Sequence, residues 1–207
     1  MDGGGVRGLN MIQSLRQLEK DTGQRIHDLF DLICGTSTGG FLALMLGVKR
    51  YTLDECEERY ETIRKNFGGQ SAFIGELKRF TTGQSHNAKN MEDFYKQDLG
   101  DADMSLSASN PKVFVVSAAA NMFPPQPYLF RNYELSPSAF ANAEFLGTSK
   151  CKIWEAARCT TAAPTYQSPM NVGGQMFVDG AILSNNPSCI AITEAALLWP
   201  GMRACVC

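Results

Sequence analysis

Histidine is scarce in this chain: of 207 residues only two, His27 and His86, carry an imidazole. No C-x-x-C spacing occurs either. Cys34, Cys56, Cys151, Cys159, Cys189, Cys205 and Cys207 form an odd, scattered set, and Cys205-x-Cys207 is too isolated to read as a metal site. Most of them sit in apolar or helical patterns, which suits buried, reduced thiols in an intracellular protein. Neither sign of charge dominates. With 19 basic and 21 acidic residues the net charge is −2, which implies no general attraction to nucleic acid. No apolar run approaches the length that spans a bilayer, so any membrane contact is expected to be peripheral. The chain opens Met1-Asp2-Gly3 without a basic or apolar leader, so no signal peptide is expected. Repeats, low-complexity tracts and inter-domain linkers are lacking too, which leaves a single domain over 1–207, and a hydrophobic content of 44% is enough for a sizeable core.

What the chain does have is centred on Leu29 to Gly40. Leu29-Phe30-Asp31-Leu32-Ile33-Cys34 reads as a short buried strand, and Phe41 to Leu46 as a helix stopping at Gly47. Between them Gly35-x-Ser37-x-Gly39 has the spacing of a nucleophile elbow. A serine on so sharp a strand-to-helix turn is forced into a strained backbone conformation, and side chains two residues either side would collide. The turn exposes the serine Oγ above a helix N-terminus, where N–H groups favour developing negative charge.

A second glycine cluster, Asp2-Gly3-Gly4-Gly5-Val6-Arg7-Gly8, precedes Leu9, Ile12, Leu15 and Leu18 at helical spacing. A loop of bare N–H groups feeding a helix is an anion site, readable as an oxyanion hole. The rival is a dinucleotide loop, since Gly3-x-Gly5-x-x-Gly8 fits G-x-G-x-x-G. That reading expects an acid at the end of the next strand, where Gly35-Thr36-Ser37 stands instead. Further along, Thr52-Leu53-Asp54-Glu55 is a capping box for a helix running to Gly68. Gly69 to Ala88 reads as a polar surface loop or lid, in which Phe73, Ile74 and Phe80 could touch lipid. Met91 to Leu99 reads as a short helix, Lys112 to Ser117 and Tyr128 to Tyr133 as strands, and Ile153 to Arg158 as a helix ending by Pro164. Met176-Phe177-Val178 is a brief strand, Asn186 and Pro187 open a helix, and Cys205 to Cys207 reads as entering another strand.

A serine nucleophile needs a proton acceptor within reach. In the α/β-hydrolase order the histidine comes last, and neither His27 nor His86 follows the later acids, so the inventory disfavours a Ser-His-Asp triad. His27 precedes the elbow strand, at the opposite end from Ser37, and reads as structural; His86 is a poor second candidate for the base. A partly desolvated carboxylate can serve, because burial raises its pKa towards working pH. Asp179 fits: it ends a short apolar strand, and Gly180 lets the chain turn at once.

Taken together, Asp2-Gly3-Gly4-Gly5-Val6-Arg7-Gly8, Gly35-Thr36-Ser37-Thr38-Gly39 and Asp179-Gly180-Ala181 resemble the patatin-like phospholipase family. Leu53 to Glu58, Phe130-Arg131-Asn132-Tyr133, Ile153 to Arg158 with Ala162-Ala163-Pro164, and Asn185-Asn186-Pro187 look like its calcium-independent phospholipase A2 gamma branch. The resemblance implies a three-layer α/β/α sandwich around a mostly parallel sheet, with its terminal strands incomplete at both ends of 1–207. It implies a Ser-Asp dyad of Ser37 and Asp179, an oxyanion hole from Gly3, Gly4 and Gly5 with Arg7 in support, and elbow glycines Gly35 and Gly39. It implies hydrolysis of fatty-acyl esters of glycerolipids through an acyl-enzyme, without metal or organic cofactor, at a peripheral membrane surface in the cytoplasm or on an organelle. The competing class is a lipid-binding or scaffold fragment that keeps the fold without turnover.

Overall fold

The computed structural model describes residues 1–67, 84–106, 110–164 and 167–206. In chain order the strands are β1 (Leu32–Thr36), β2 (Lys112–Ala119), β3 (Gln126–Arg131), β4 (Leu146–Thr148), β5 (Met170–Val172) and β6 (Gln175–Asp179). The helices are α1 (Gly8–Thr22), α2 (Ile26–Leu29), α3 (Thr38–Ala43), α4 (Leu53–Phe67), α5 (Gln84–Leu99), α6 (Pro137–Ala141), α7 (Ile153–Thr160), α8 (Ala181–Ser184) and α9 (Ser188–Leu198).

β2 is the axis of the sheet, and its apolar run is buried from Val113 to Ala119. One of its edges pairs with antiparallel β3. The other edge is shared: β1 runs parallel to Lys112–Val116, and β6 runs antiparallel to Ser117–Ala119. β4 extends the sheet beyond β3 and β5 extends it beyond β6. The β1–β2 and β3–β4 pairings are parallel and the other three antiparallel, so the sheet is mixed where a mostly parallel one is expected. Connection length explains two of the three antiparallel pairings, β2–β3 and β5–β6. Only 120–125 join β2 to β3, and only Gly173 and Gly174 (φ 61° and 85°) join β5 to β6, and turns so short can only reverse the chain.

Helices cover both faces, which gives the α/β sandwich. Side chains alternate across a strand, so β2 feeds two cores. Val113, Val115 and Ala119 join the larger, built on α1, α3, α4, α5 and α7. Phe114 and Val116 join the smaller, where α9 contributes Ile190, Ala191 and Leu198. A buried ion pair fastens α9 to β3: Arg131 Nε and Nη2 each donate to the Glu194 carboxylate at 2.7 Å, and the Tyr133 hydroxyl donates to it at 2.6 Å.

Local signals set several boundaries. Gly23 closes α1 in the left-handed region at φ 68°. Thr52 and Glu55 cap α4 reciprocally, at 2.8 and 3.1 Å. Other boundaries move. The elbow strand starts at Leu32, because Ile26–Leu29 form α2, and it runs on to Thr36. The helix after it does not stop at Gly47 but widens into a π-helical turn over Leu44–Val48. α5 begins at Gln84, before the expected Met91, because its first two turns are polar and carry no apolar period. The rest of the loop or lid read over Gly69–Ala88, with Phe73, Ile74 and Phe80, lies outside the described residues. Met202–Val206 form no strand, and Cys207 lies outside the described residues. At the other end the Met1 backbone pairs with β1: its ammonium donates to the Cys34 carbonyl at 2.9 Å, and its carbonyl accepts the Thr36 N–H at 3.1 Å.

Candidate active site

β1 and β6 approach each other head-on along one edge of β2. β1 ends at Thr36, opposite Val116, and β6 arrives from the other direction and ends at Asp179, opposite Ser117. Neither can extend without entering the other's place, so both leave the sheet at this junction. Gly180 marks the exit: a Cβ there would lie 2.3 Å from the Val116 carbonyl oxygen. Ser37 and Asp179 meet where the two strands stop. The Ser37 Oγ donates to Asp179 Oδ2 at 2.6 Å.

Ser37 has φ 55° and ψ −125°, outside the regions an L-residue adopts freely. Its surroundings leave no other course. The Ser37 N–H donates to Thr160 Oγ1 at 2.9 Å, and that hydroxyl donates onward to the Val116 carbonyl at 2.6 Å. A Cβ on Gly35 would lie 2.1 Å from the Gly39 carbonyl oxygen, and one on Gly39 would lie 2.5 Å from the carbonyl oxygens of Met1 and Asp2. The elbow glycines are therefore steric requirements.

Asp179 is 3% exposed. Its Oδ1 accepts the Ala181 N–H at 2.8 Å, and its own N–H donates to the Ala162 carbonyl at 2.9 Å. Burial pushes the carboxyl pKa above its usual range, and the hydrogen bonds from Ser37 and the Ala181 N–H only partly offset it. Among the described residues no cation pairs with it. The pair is thus a hydroxyl held against a partly desolvated carboxylate, able to pass a proton across one short hydrogen bond.

The glycine loop lies against the serine. A Cβ on Gly3 would be 3.1 Å from Ser37 Cβ and 2.5 Å from Asn185 Oδ1. The three N–H groups differ. Gly3 donates to the Asn185 carbonyl at 3.1 Å and Gly4 to Thr38 Oγ1 at 3.2 Å, while Gly5, at φ 56°, has no partner among the described residues. Tyr60 of α4 anchors the loop through a 3.2 Å bond to the Gly5 carbonyl, and its ring occupies the space that a Gly8 side chain would need. The Arg7 side chain is exposed and unpaired among the described residues. His27 lies on α2, with the whole of β1 between it and Ser37, and its nearest charge is Asp28 at 3.7 Å. The His86 side chain lies outside the described residues.

A family profile described as patatin-like phospholipase matches residues 1–192. The chain belongs to the patatin-like phospholipase family. It is 39% identical over 204 residues to calcium-independent phospholipase A2-gamma of Homo sapiens, which covers 97% of this chain and 26% of that protein. It is 36% identical over 254 residues to Phospholipase A I of Arabidopsis thaliana (98% of this chain, 19% of that protein). The 85/88 kDa calcium-independent phospholipase A2 of Rattus norvegicus is 32% identical over 205 residues (94% and 23%). The chain thus spans about a quarter or less of the length of these relatives.

Within this patatin-like domain three residues of the site escape sequence reasoning. Thr160 holds the elbow through one hydroxyl from a helix end 123 residues away. Asn185 stands in the Asn185-Asn186-Pro187 stretch of the family resemblance, but nothing there says that its carbonyl engages Gly3. Tyr60 lies within the helix read from Thr52 to Gly68, where nothing local marks it out. Of the three, Asn185 alone carries a signal in the sequence, its place in the Asn185-Asn186-Pro187 stretch close after Asp179.

Proposed function

We propose that this chain is a lipid acyl hydrolase of the calcium-independent phospholipase A2 type, acting through a Ser37–Asp179 dyad. The observation that carries the reading is the 2.6 Å hydrogen bond from a strained elbow serine to a buried carboxylate. Membership of a family whose named relatives are phospholipases supports the substrate class, fatty-acyl esters of glycerophospholipids.

Asp179 accepts the Ser37 proton as Oγ attacks the acyl carbonyl. Its raised pKa favours this step, since a stronger base takes the proton more readily. The tetrahedral oxyanion is held by loop N–H groups. Gly5 is unengaged and Gly4 is bonded only to a hydroxyl that can rotate away, so these two are the donors. Gly3, committed to a backbone carbonyl, serves instead to let the loop approach Ser37 closely. Collapse expels the lysophospholipid alkoxide, which takes the proton from Asp179. Water, activated by the same carboxylate, then attacks the acyl-enzyme and releases the fatty acid. Exposed Arg7 offers a cation to the phosphate. Its setting is intracellular, at a peripheral membrane surface.

Fatty-acid release from phosphatidylcholine vesicles, with excess chelator, tests the reading. Release that vanishes in Ser37→Ala is the expected result. No release from either protein, each with a folded circular-dichroism spectrum, would favour a lipid-binding domain without turnover.

A further inference from the structure

Two hairpins project past the dyad at the same end of the sheet. Register puts Ser117, Asp179, Tyr128 and Leu146 at one level across β2, β6, β3 and β4, and Ser37 follows the residue paired with Val116. Beyond that level β2 runs on into the 120–125 turn, while β6 begins four residues earlier in Gln175, about 13 Å away at the rise of an extended strand. The two are tied together. Asn121 Oδ1 accepts from Gln175 Nε2 and from the Met176 N–H, and the Ala120 N–H donates to the Met176 carbonyl at 2.8 Å. They form one lip over the side of the site.

The lip has an unusual surface. Phe123, at its tip, is fully exposed, flanked by exposed Pro124 and Pro125. A recess of about 380 Å³ beside it is lined by Phe123, Pro127, Phe145 and half-exposed Leu146, together with Glu144. The sequence of the lip is the second observation. In a chain that is 19% Asp, Glu, Lys and Arg, none occurs anywhere in 113–130 or in 159–178, the segments that build both hairpins. For buried strand interiors this is ordinary, but the exposed turns share it. A charge carried out of water is costly, so a surface meant to leave water does without one.

We infer that this lip is a docking element for a zwitterionic phospholipid surface, with Phe123 inserting among the acyl chains and setting the Ser37 end of the sheet at the headgroup boundary. The inference takes its orientation from the proposed catalytic role of Ser37. It commits to apolar insertion, so docking is independent of anionic lipid and of salt, unlike attachment through a basic patch.

The test is flotation of the full chain with phosphatidylcholine vesicles, comparing it with Phe123→Asp and Phe123→Trp. The wild type is expected to float equally at low and high salt, and Phe123→Asp to partition at least about tenfold more weakly. Brominated phosphatidylcholine should quench Phe123→Trp well beyond the quenching of native Trp154 and Trp199. The ratio of vesicle to soluble short-chain ester hydrolysis should fall about tenfold in Phe123→Asp. Equal flotation of Phe123→Asp, absent quenching, or binding that needs anionic lipid would each overturn the inference. So would a dimer that Phe123→Asp dissociates while flotation is unchanged, which would assign the lip to a second copy. Flotation that depends on Phe123 in a chain without esterase activity would sustain this inference and refute the proposed hydrolase.

Discussion

Asp179→Asn removes a negative charge from a site that disfavours it while preserving the side chain's shape. The carboxyl has a folded pKa above its ordinary 3.8, chiefly because it is buried. Between the unfolded and folded values the native state holds a proton that the unfolded chain has released. Stability therefore falls as pH rises through that window, each tenfold difference in proton affinity between the two states being worth about 1.4 kcal/mol. At pH 7 the wild type carries that loss to the extent that Asp179 is ionised. Asparagine cannot ionise, its Oδ1 can keep the Ala181 N–H, and its Nδ2 can face the Ser37 Oγ. The variant should thus be as stable as the wild type or more so at pH 7, with the advantage disappearing below pH ~3.8. Activity should move the other way. Without a base, hydrolysis should drop about 10²–10⁴-fold. In the wild type, kcat/KM should rise with pH through an inflection above the usual carboxylate range. Denaturant unfolding at pH 7 and at pH 3.5, with ester hydrolysis on the same samples, gives both numbers. A variant several kcal/mol less stable at pH 7 would refute the desolvation argument; a variant whose hydrolysis stays within about tenfold of the wild type would refute the base.

Other substitutions test how the site is held. Thr160→Val strands the Ser37 N–H and the Val116 carbonyl in a buried setting, which should cost about 2–4 kcal/mol and lower activity, with Thr160→Ser restoring both; thermal melts and initial rates check this. Gly35→Ala sets a methyl against the Gly39 backbone and should abolish soluble expression, whereas Gly23→Ala, strained only by its φ of 68° with open space around it, should lower stability by about 1 kcal/mol in urea unfolding. Glu194→Gln leaves Arg131 buried without its counter-charge and should destabilise by about 3–5 kcal/mol, nearly independent of salt, while an Arg131→Met, Glu194→Leu double variant should recover most of the loss.

The elbow is legible in the sequence because steric necessity writes it there: no side chain fits at Gly35 or Gly39, and the spacing records it. Asp179 is legible because a short apolar strand ends in Asp-Gly. The mixed sheet is not, since nothing local says that β1 and β6 share one edge of β2. That sharing is a long-range choice of partners, and it is what brings Ser37 to Asp179. The loop glycines show the same boundary. Their number and position are plain in the sequence, but which N–H stays unengaged depends on the Asn185 carbonyl and the Thr38 hydroxyl. The extent of α5 fails for a different reason: its first turns are polar in sequence and have no apolar period to read.

The most direct test of the central claim is covalent. A fluorophosphonate should label the chain at one site, and peptide mass spectrometry should place the adduct on Ser37, with labelling lost in Ser37→Ala and slowed at least about 100-fold in Asp179→Asn. Labelling on another residue, or equal labelling rates in wild type and Asp179→Asn, would contradict the Ser37–Asp179 dyad.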